Sequence, residues 1–482
     1  MKRTILLAAA ALILAGCGDD EERAEPQGPP TIELEMQDDS QLLYASPQGI
    51  RDAVTTMRAL GVDRVRITAG WGILAPEPAS TRRPAFDATD SAAYPQPNWL
   101  ILDRAVMEVT RQGLDVMLDA SFWAPRWATA RDTGCPDRCR WQINPIEFGH
   151  FAEALARRYN GDFKSPLTGR ELPQVRLWTT WNEPNHATFL LPQQVRRNGE
   201  WVVAAAHNYR AMHERGLAAI KRVSEDNRVL VGGLASLASK PPSPSHTSSP
   251  LLWLREFACV DRALRPLRRR PECRDFRPIV ADGFAYHPYT RKSPPGRPLP
   301  NRDDAGISDL DRLAGLLGGL HRRGRLAQRL EIYVTEFGYE TDPPDPKRGI
   351  PINRQPAYLN EAAAILLRRR DVRMMSQFLL RDLPQDRLFQ TGLILPDGRP
   401  KPAIHTFKLP FWIFGREAVG RVYPAPGRTA VTLERRAADG SWRALGKPID
   451  TDANGVLRRR LAAPGTYRMR WGREVSLPAA AR

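Results

Sequence analysis

Strand-like runs and helix-like stretches alternate along this 482-residue chain from residue 44 to residue 407. That alternation constrains the fold more than any other feature. Parallel strands cannot be joined by a tight turn and need a helical crossover, so strand, helix, strand in repetition reads as a parallel sheet. Runs at 64–68 (RVRIT), 115–120 (DVMLDA), 175–180 (VRLWTT), 228–232 (RVLVG), 283–286, 331–335 (EIYVT) and 374–379 have strand character. Helical stretches fall at 47–60, 99–112, 148–159, 204–223, 251–258, 307–321 and 355–369. An opening strand near 34–44 completes eight. Eight such units predict an α/β fold, a (β/α)8 TIM barrel with long loops. No Gly-rich dinucleotide fingerprint supports a doubly wound sheet. A barrel of this size needs a large core, and 42% hydrophobic with 26% charged residues supplies one.

After residue 414 the period changes. Short runs at 431–435, 442–445, 456–461 and 467–471 alternate apolar and polar residues, with turn signals at Asp439-Gly440 and Asn454-Gly455. They predict a small C-terminal β-sandwich over 415–482 that packs on the barrel. Its aromatics Trp442, Tyr467 and Trp471 suit core positions as well as carbohydrate binding.

The N-terminus has Lys2 and Arg3, then an apolar run at 5–14, too short to span a bilayer. It ends in Leu14-Ala15-Gly16-Cys17, which resembles a bacterial lipobox. That resemblance implies a signal peptide over 1–17, lipidation of Cys17, and a tether over 18–31. The barrel is then expected over 32–414, on the extracytoplasmic side of a membrane, at the cell surface or the periplasmic face. An exported chain meets oxidising conditions. Its four remaining cysteines admit three pairings. Local pairing, Cys135 with Cys139 and Cys259 with Cys273, is expected. The spacings do not suit zinc, and no metal is expected. The net charge is +17, from 71 Lys and Arg, 9 of them Lys and 62 Arg, against 54 acidic residues. The arginines are spread along the chain, so no nucleic-acid partner is expected.

Two acidic positions carry the chemistry. The strand at 175–180 runs into Trp181-Asn182-Glu183-Pro184-Asn185, and the strand at 331–335 into Glu336-Phe337-Gly338. Residues just past strand C-termini line the mouth of a β/α barrel. Two carboxyls facing each other there suit glycosidic cleavage, one protonated for the leaving oxygen and one ionised for the anomeric carbon.

Asn-Glu-Pro after the fourth strand, with Glu after the seventh, resembles the clan A (4/7) glycoside hydrolases. Arg66 on the second strand, His287-Pro288-Tyr289 after the sixth, and the segment 392–407 resemble families 39 and 5 of that clan. The resemblance implies that Glu183 is the acid/base and Glu336 the nucleophile. It also implies that Asn182 binds the sugar 2-hydroxyl, that Arg66 and His287 belong to the substrate site, and that Tyr289 orients the nucleophile. Trp71, Trp123 and Trp127, in loops after the second and third strands, are candidate sugar platforms, with loop packing as the other reading. Many clan A enzymes place a Trp at the end of the eighth strand. This chain has Ser376-Gln377-Phe378, and Gln377 is the candidate hydroxyl contact. The whole reads as a monomeric, lipid-anchored retaining β-glycosidase that acts on carbohydrate and needs no cofactor. Two alternatives stand beside it: a non-catalytic glycan-binding lipoprotein on the same scaffold, and a transglycosylase sharing the covalent intermediate.

Overall fold

In the computed structural model, which describes residues 32–130, 135, 138–384, 389–425 and 427–482, eight parallel strands close into a barrel. The expected leader at 1–17 with Cys17, and the expected tether at 18–31, lie outside the described residues. The barrel strands are β1 Glu33–Gln37, β2 Arg64–Gly70, β3 Asp115–Ser121, β4 Leu177–Thr180, β5 Arg228–Ala235, β6 Gly283–His287, β7 Ile332–Val334 and β8 Val372–Phe378. The ring closes between β1 and β8, with Glu33 opposite Met374 and Gln37 opposite Phe378. Crossovers are made by α1 Pro47–Ala59, α2 Gln96–Arg111, α3 Pro145–Arg158, α4 Ala204–Val223, α5 Pro250–Phe257, α6 Leu310–Arg322 and α7 Gln355–Leu367. Local chemistry sets their starts, at the expected residue 47 for α1 and three residues ahead of the expected 148 for α3. Ser46 caps α1 ahead of Pro47, and the Asn144 side chain accepts from the amides of Ile146 and Glu147 ahead of α3.

The opening strand is shorter than expected. It ends at Gln37 because the Asp38 carboxylate accepts from the Gln41 amide and begins a short helix, Asp39–Leu43. Asp38 also accepts from the amides of Leu380 and Arg381, at 3.1 and 3.0 Å, so it ties the end of β1 to the end of β8.

Side chains alternate across a strand, and this period of two builds the lumen in layers. Met117, Leu177, Leu230, Ala285, Tyr333 and Met374 form a buried apolar plug. Two residues further along the same strands stand Asp119, Thr179, His287, Thr335 and Ser376, all buried. The lumen therefore turns from apolar to polar within one pleat, toward the strand C-termini.

The C-terminal strands form two sheets. One contains β9 Phe411–Phe414, β10 Glu417–Arg421 and β14 Val456–Arg460. The other is built around β11 Ala430–Arg436 and β15 Gly465–Trp471, flanked by β12 Trp442–Ala444, β13 Ile449–Asp450, β16 Glu474–Val475 and β17 Ala479–Ala481. Phe411, Ile413, Val431, Leu433, Leu457, Tyr467 and Met469 share their core. β9 pairs with β10, so this part begins four residues ahead of the expected boundary at 415. Tyr467 is core, whereas Trp442 and Trp471 are half-buried. Val419, Tyr423 and Val456 are buried in the barrel's own cluster, and the Phe411 amide donates to Asn360 Oδ1 on α7 at 3.0 Å.

Both expected disulfides are present, Cys135–Cys139 with Cα atoms 5.2 Å apart and Cys259–Cys273 with Cα atoms 5.6 Å apart. A crosslink removes more denatured-state entropy the longer the loop it closes. The Cys259→Ser/Cys273→Ser variant should lose about 3 kcal/mol and the Cys135→Ser/Cys139→Ser variant about 2 kcal/mol. Thermal melts under non-reducing conditions test this order, and a larger loss from the shorter loop would contradict it.

Candidate active site

Glu183 leaves β4 on a sharply turned backbone. Trp181 has φ 86° and Glu183 φ 38°, values that side-chain-bearing residues adopt only when their surroundings hold them. The holding groups are identifiable. The Trp181 amide donates to Ala120 O at 2.9 Å and the Glu183 amide to Gly233 O at 3.0 Å. Asn185 is buried, donates to Ala235 O and Ser248 O, and accepts from the Ala235 amide. The Gly233 carbonyl is available because β5 shifts register between Gly232 and Leu234. Gly232 sits there at φ +109°, and a Cβ on it would lie 2.6 Å from Ala285 O, so only glycine fits.

Arg66 on β2 is the hub. One guanidinium nitrogen donates to Glu336 Oε1 at 2.7 Å and also to Gln37 Oε1. The other donates to Asp119 Oδ2 at 3.0 Å and to Asn182 Oδ1 at 2.9 Å. Asp119 is fixed in turn by the Thr179 hydroxyl at 2.6 Å. Side chains from β1, β2 and β3, and from the ends of β4 and β7, are thus locked around one cation.

His287 lies between the two glutamates. Its Nδ1 is 3.0 Å from Glu183 Oε1 and 3.6 Å from Glu336 Oε2, and its Nε2 is 3.1 Å from the Thr335 hydroxyl. Burial pushes the imidazole down to about 4, so it is neutral at pH 7. Either neutral tautomer is satisfied, since the Thr335 hydroxyl donates or accepts. The ring therefore donates to an ionised Glu183 or accepts from a protonated one. Tyr289 donates to Glu336 Oε2 at 3.4 Å, and burial keeps its phenol protonated.

One oxygen of Glu183, one of Glu336 and a ring nitrogen of His287 lie within 4.8 Å of one another. Burial raises both carboxyls above the usual range, and Arg66 opposes this at both. Only Glu336 bonds the guanidinium directly, so of this coupled pair Glu336 carries the charge and Glu183 the proton. The guanidinium already holds the positive charge that a metal ion would bring to these three groups. A second grouping, His207 with Cys259 and Cys273, offers no thiolates, because those cysteines are bonded to each other.

The expected residues Glu183, Glu336, Arg66, Asn182, His287 and Tyr289 thus converge. Two candidates do not join them. Trp71 is fully buried, stacked on Phe151 at 5.3 Å with edge contacts to Trp127 and Phe148, so it is a core residue and offers no face to a sugar. Gln377 lies on the outer face of β8. Alternation puts Met374, Ser376 and Phe378 inside, and the Gln377 amide donates to the carbonyls of Phe378, Leu379 and Thr391. Trp123 is half-buried, with its indole N–H on Thr188 O at 3.0 Å and its ring beside Phe189, which leaves part of it open. Gln37, Glu35, Asp119 and Thr335 were not anticipated. A charged residue inside an apolar run, as in DVMLDA, is the signal that marks Asp119.

Neither a family model nor a curated protein matches the chain. Solved structures similar to it include a family 39 glycoside hydrolase from Bacteroides cellulosilyticus WH2, with 14% identity, 90% of this chain and 81% of that one covered, and a TM-score of 0.49. GH5_18 from Streptomyces cattleya in complex with GlcNAc has 16% identity, 78% and 79% coverage, and a TM-score of 0.49. The endo-β-1,4-mannanase from Thermotoga petrophila has 12% identity, 94% and 98% coverage, and a TM-score of 0.44. At such identities and scores, function has to be read from the geometry above.

Glu35 is buried on β1 with Arg66 and the Ser376 hydroxyl beside it, and burial outweighs both and pushes its carboxyl up to about 8. Its value in an unfolded chain is 4.5. Between these limits the folded protein holds a proton that the unfolded chain has lost. The stability this group contributes is complete below 4.5 and is lost as the pH rises toward 8. Glu35→Gln, which stays neutral, should flatten the fall in melting temperature between pH 5 and pH 8. Equal slopes for the two proteins would show that Glu35 is ionised throughout.

Proposed function

We propose that this chain is a retaining β-glycosidase that cleaves β-glycosidic bonds of oligo- or polysaccharides through a covalent glycosyl-enzyme. The carrying observation is that one oxygen of Glu183 and one of Glu336 lie within 4.8 Å, with the Arg66 guanidinium bonded to Glu336 and not to Glu183. Inverting enzymes keep their carboxyls about 6.5–9.5 Å apart to admit a water, and retaining ones about 5–5.5 Å apart. In the first step the ionised Glu336 attacks the anomeric carbon while Glu183 gives its proton to the departing glycosidic oxygen. An ester forms, the C–O bond breaks and an alcohol leaves. Esterification removes the charge on Glu336, so Glu183 ionises readily. It then takes a proton from water as the water oxygen attacks the anomeric carbon, and Glu336 departs as the carboxylate. Arg66 holds Asn182 by its Oδ1, which leaves Nδ2 as the donor to the sugar 2-hydroxyl. The disulfides, with the lipobox-like leader, support an extracytoplasmic, membrane-anchored location.

The two carboxyl variants should fail differently. Glu336→Ala should abolish turnover of aryl β-glycosides, and azide entering from the vacated side should restore some of it as the α-glycosyl azide. Glu183→Ala should lose about 10²–10⁴ in kcat/KM on poor leaving groups. It should still glycosylate from a dinitrophenyl glycoside, giving a burst and a trapped intermediate that azide releases as the β-glycosyl azide. NMR coupling constants separate the two products. The opposite assignment of azides would exchange the roles, and full activity in both variants would end the glycosidase reading.

The pH profile of kcat/KM should be bell-shaped, with Glu336 on the acid limb and Glu183 on the alkaline limb. In Glu183→Ala the alkaline limb should disappear from the glycosylation step measured with a dinitrophenyl glycoside. Its survival would assign that limb to another group.

A further inference from the structure

The barrel uses few of the chain's arginines at its mouth, and one group of the remainder is concentrated. A groove of about 400 Å³ on the outer wall is lined by Arg255, Arg262, Arg302 and Arg312, with Asp303 as its sole acid and Leu251 and Leu316 as its apolar floor. It lies between α5, which carries Leu251 and Arg255, and α6, which carries Arg312 and Leu316. Arg255 is paired with Asp303 at 2.9 Å, and Arg312 with Asp309 at 2.6 Å. Arg262 and Arg302 are exposed and have no ion pair or side-chain hydrogen bond among the described residues. Four guanidiniums against two carboxylates leave two positive charges unbalanced in a concave site. Two of its walls are fixed: the Leu251 amide donates to Asp303 O at 3.0 Å, and Asn301 Nδ2 to the Ser249 hydroxyl at 3.1 Å.

We propose that this groove is a second carbohydrate-binding site, one that takes the carboxylate or sulfate groups of an acidic polysaccharide. The proposal rests on the glycosidase reading for its choice of a glycan over other polyanions. A guanidinium presents paired N–H donors that match the oxygens of either group, and an unpaired guanidinium does not have to give up a partner to bind them. The groove also shares a loop with the active site. The loop after β6 carries both Tyr289 and Arg302, the Ala305 amide donates to Ser236 O at 3.1 Å, and the Ser236 hydroxyl donates to Tyr289 O at 2.6 Å. A polymer held by the groove would be retained on the protein between cleavages.

The test is affinity electrophoresis of the full chain in gels containing polygalacturonate, dextran sulfate or neutral dextran, at about 0.15 M salt to screen diffuse attraction. At least one acidic polymer should retard the protein and neutral dextran should not. Arg262→Glu/Arg302→Glu should weaken that retention by at least about tenfold, since each loses a charge-assisted contact and adds repulsion. Arg459→Glu/Arg473→Glu, the same charge change on exposed sandwich arginines, should alter it less than about twofold. Polygalacturonate and dextran sulfate separate carboxylate from sulfate recognition. Retention unchanged in the groove variant, lost equally in the sandwich variant, or as strong with neutral dextran would overturn the proposal. So would a duplex DNA oligonucleotide that binds as tightly as the acidic glycans and is lost with the same arginines. Cleavage of an uncharged aryl β-glycoside should be unchanged in Arg262→Glu/Arg302→Glu. Groove binding that fails while this cleavage persists sinks the second site alone. Native protein that cleaves no glycoside sinks the glycosidase reading, and with it the choice of glycan.

Discussion

A guanidinium buried inside a barrel has to be balanced where it stands, because the interior cannot solvate it. Arg66 is 1% exposed, and the rest of the site is arranged by what balances it. Asp119 supplies one negative charge from β3, and Glu336 supplies the other from the end of β7. Gln37 and Asn182 fill the remaining acceptor positions. A third and a fourth carboxyl, Glu35 and Glu183, share the same interior, and neither bonds the guanidinium. One cation cannot hold four anions at low dielectric, so these two keep their protons. In the proposed mechanism the roles of the two glutamates follow from which of them reaches Arg66.

The second glutamate is positioned by backbone rather than by charge. Glu183 takes its direction from a turned Trp-Asn-Glu-Pro-Asn segment that is pinned to β5 through Gly233 O and through Asn185. His287 joins this backbone-held carboxyl to the charge-held one. The ring is neutral, and it accepts from a protonated Glu183 in one tautomer or donates to an ionised one in the other. The C-terminal sheets contribute at a distance. Arg421 donates to Ile32 O ahead of β1, and Tyr423 to Met375 Sδ on β8, so they brace the seam where the barrel closes.

Much of this was legible in the residues. Strand and helix periods marked the eight units to within a few residues, because apolar burial imposes those periods on the chain locally. The opening strand was read too long for an equally local reason, the Asp38 cap, which outcompetes strand continuation. Asn-Glu-Pro and Glu-Phe-Gly stood out because each follows a strand end. Gln377 was misjudged because sequence gives the parity of a strand but not which parity faces inward, and Trp71 because it lies past the strand. Register across the β1–β8 seam turns Ser376 and Phe378 into the lumen and Gln377 away from it. Trp71 follows Gly70 at the end of β2, where the chain turns into a short helix and carries the indole back under α3.

The sequence by itself therefore determined what depends on near neighbours: the periods of the elements, their caps and turns, the acids at two strand ends, and the cysteine pairs four and fourteen residues apart. The tertiary structure alone decided what depends on closure. Arg66 and Glu336 are 270 residues apart in the chain and 2.7 Å apart in the barrel. That meeting, the exclusion of Glu35 from it, and the gathering of four arginines from α5, α6 and two loops exist only once the strands are in register around a closed ring. No local propensity encodes such pairings, because they are made by the solvent-excluding interior as a whole.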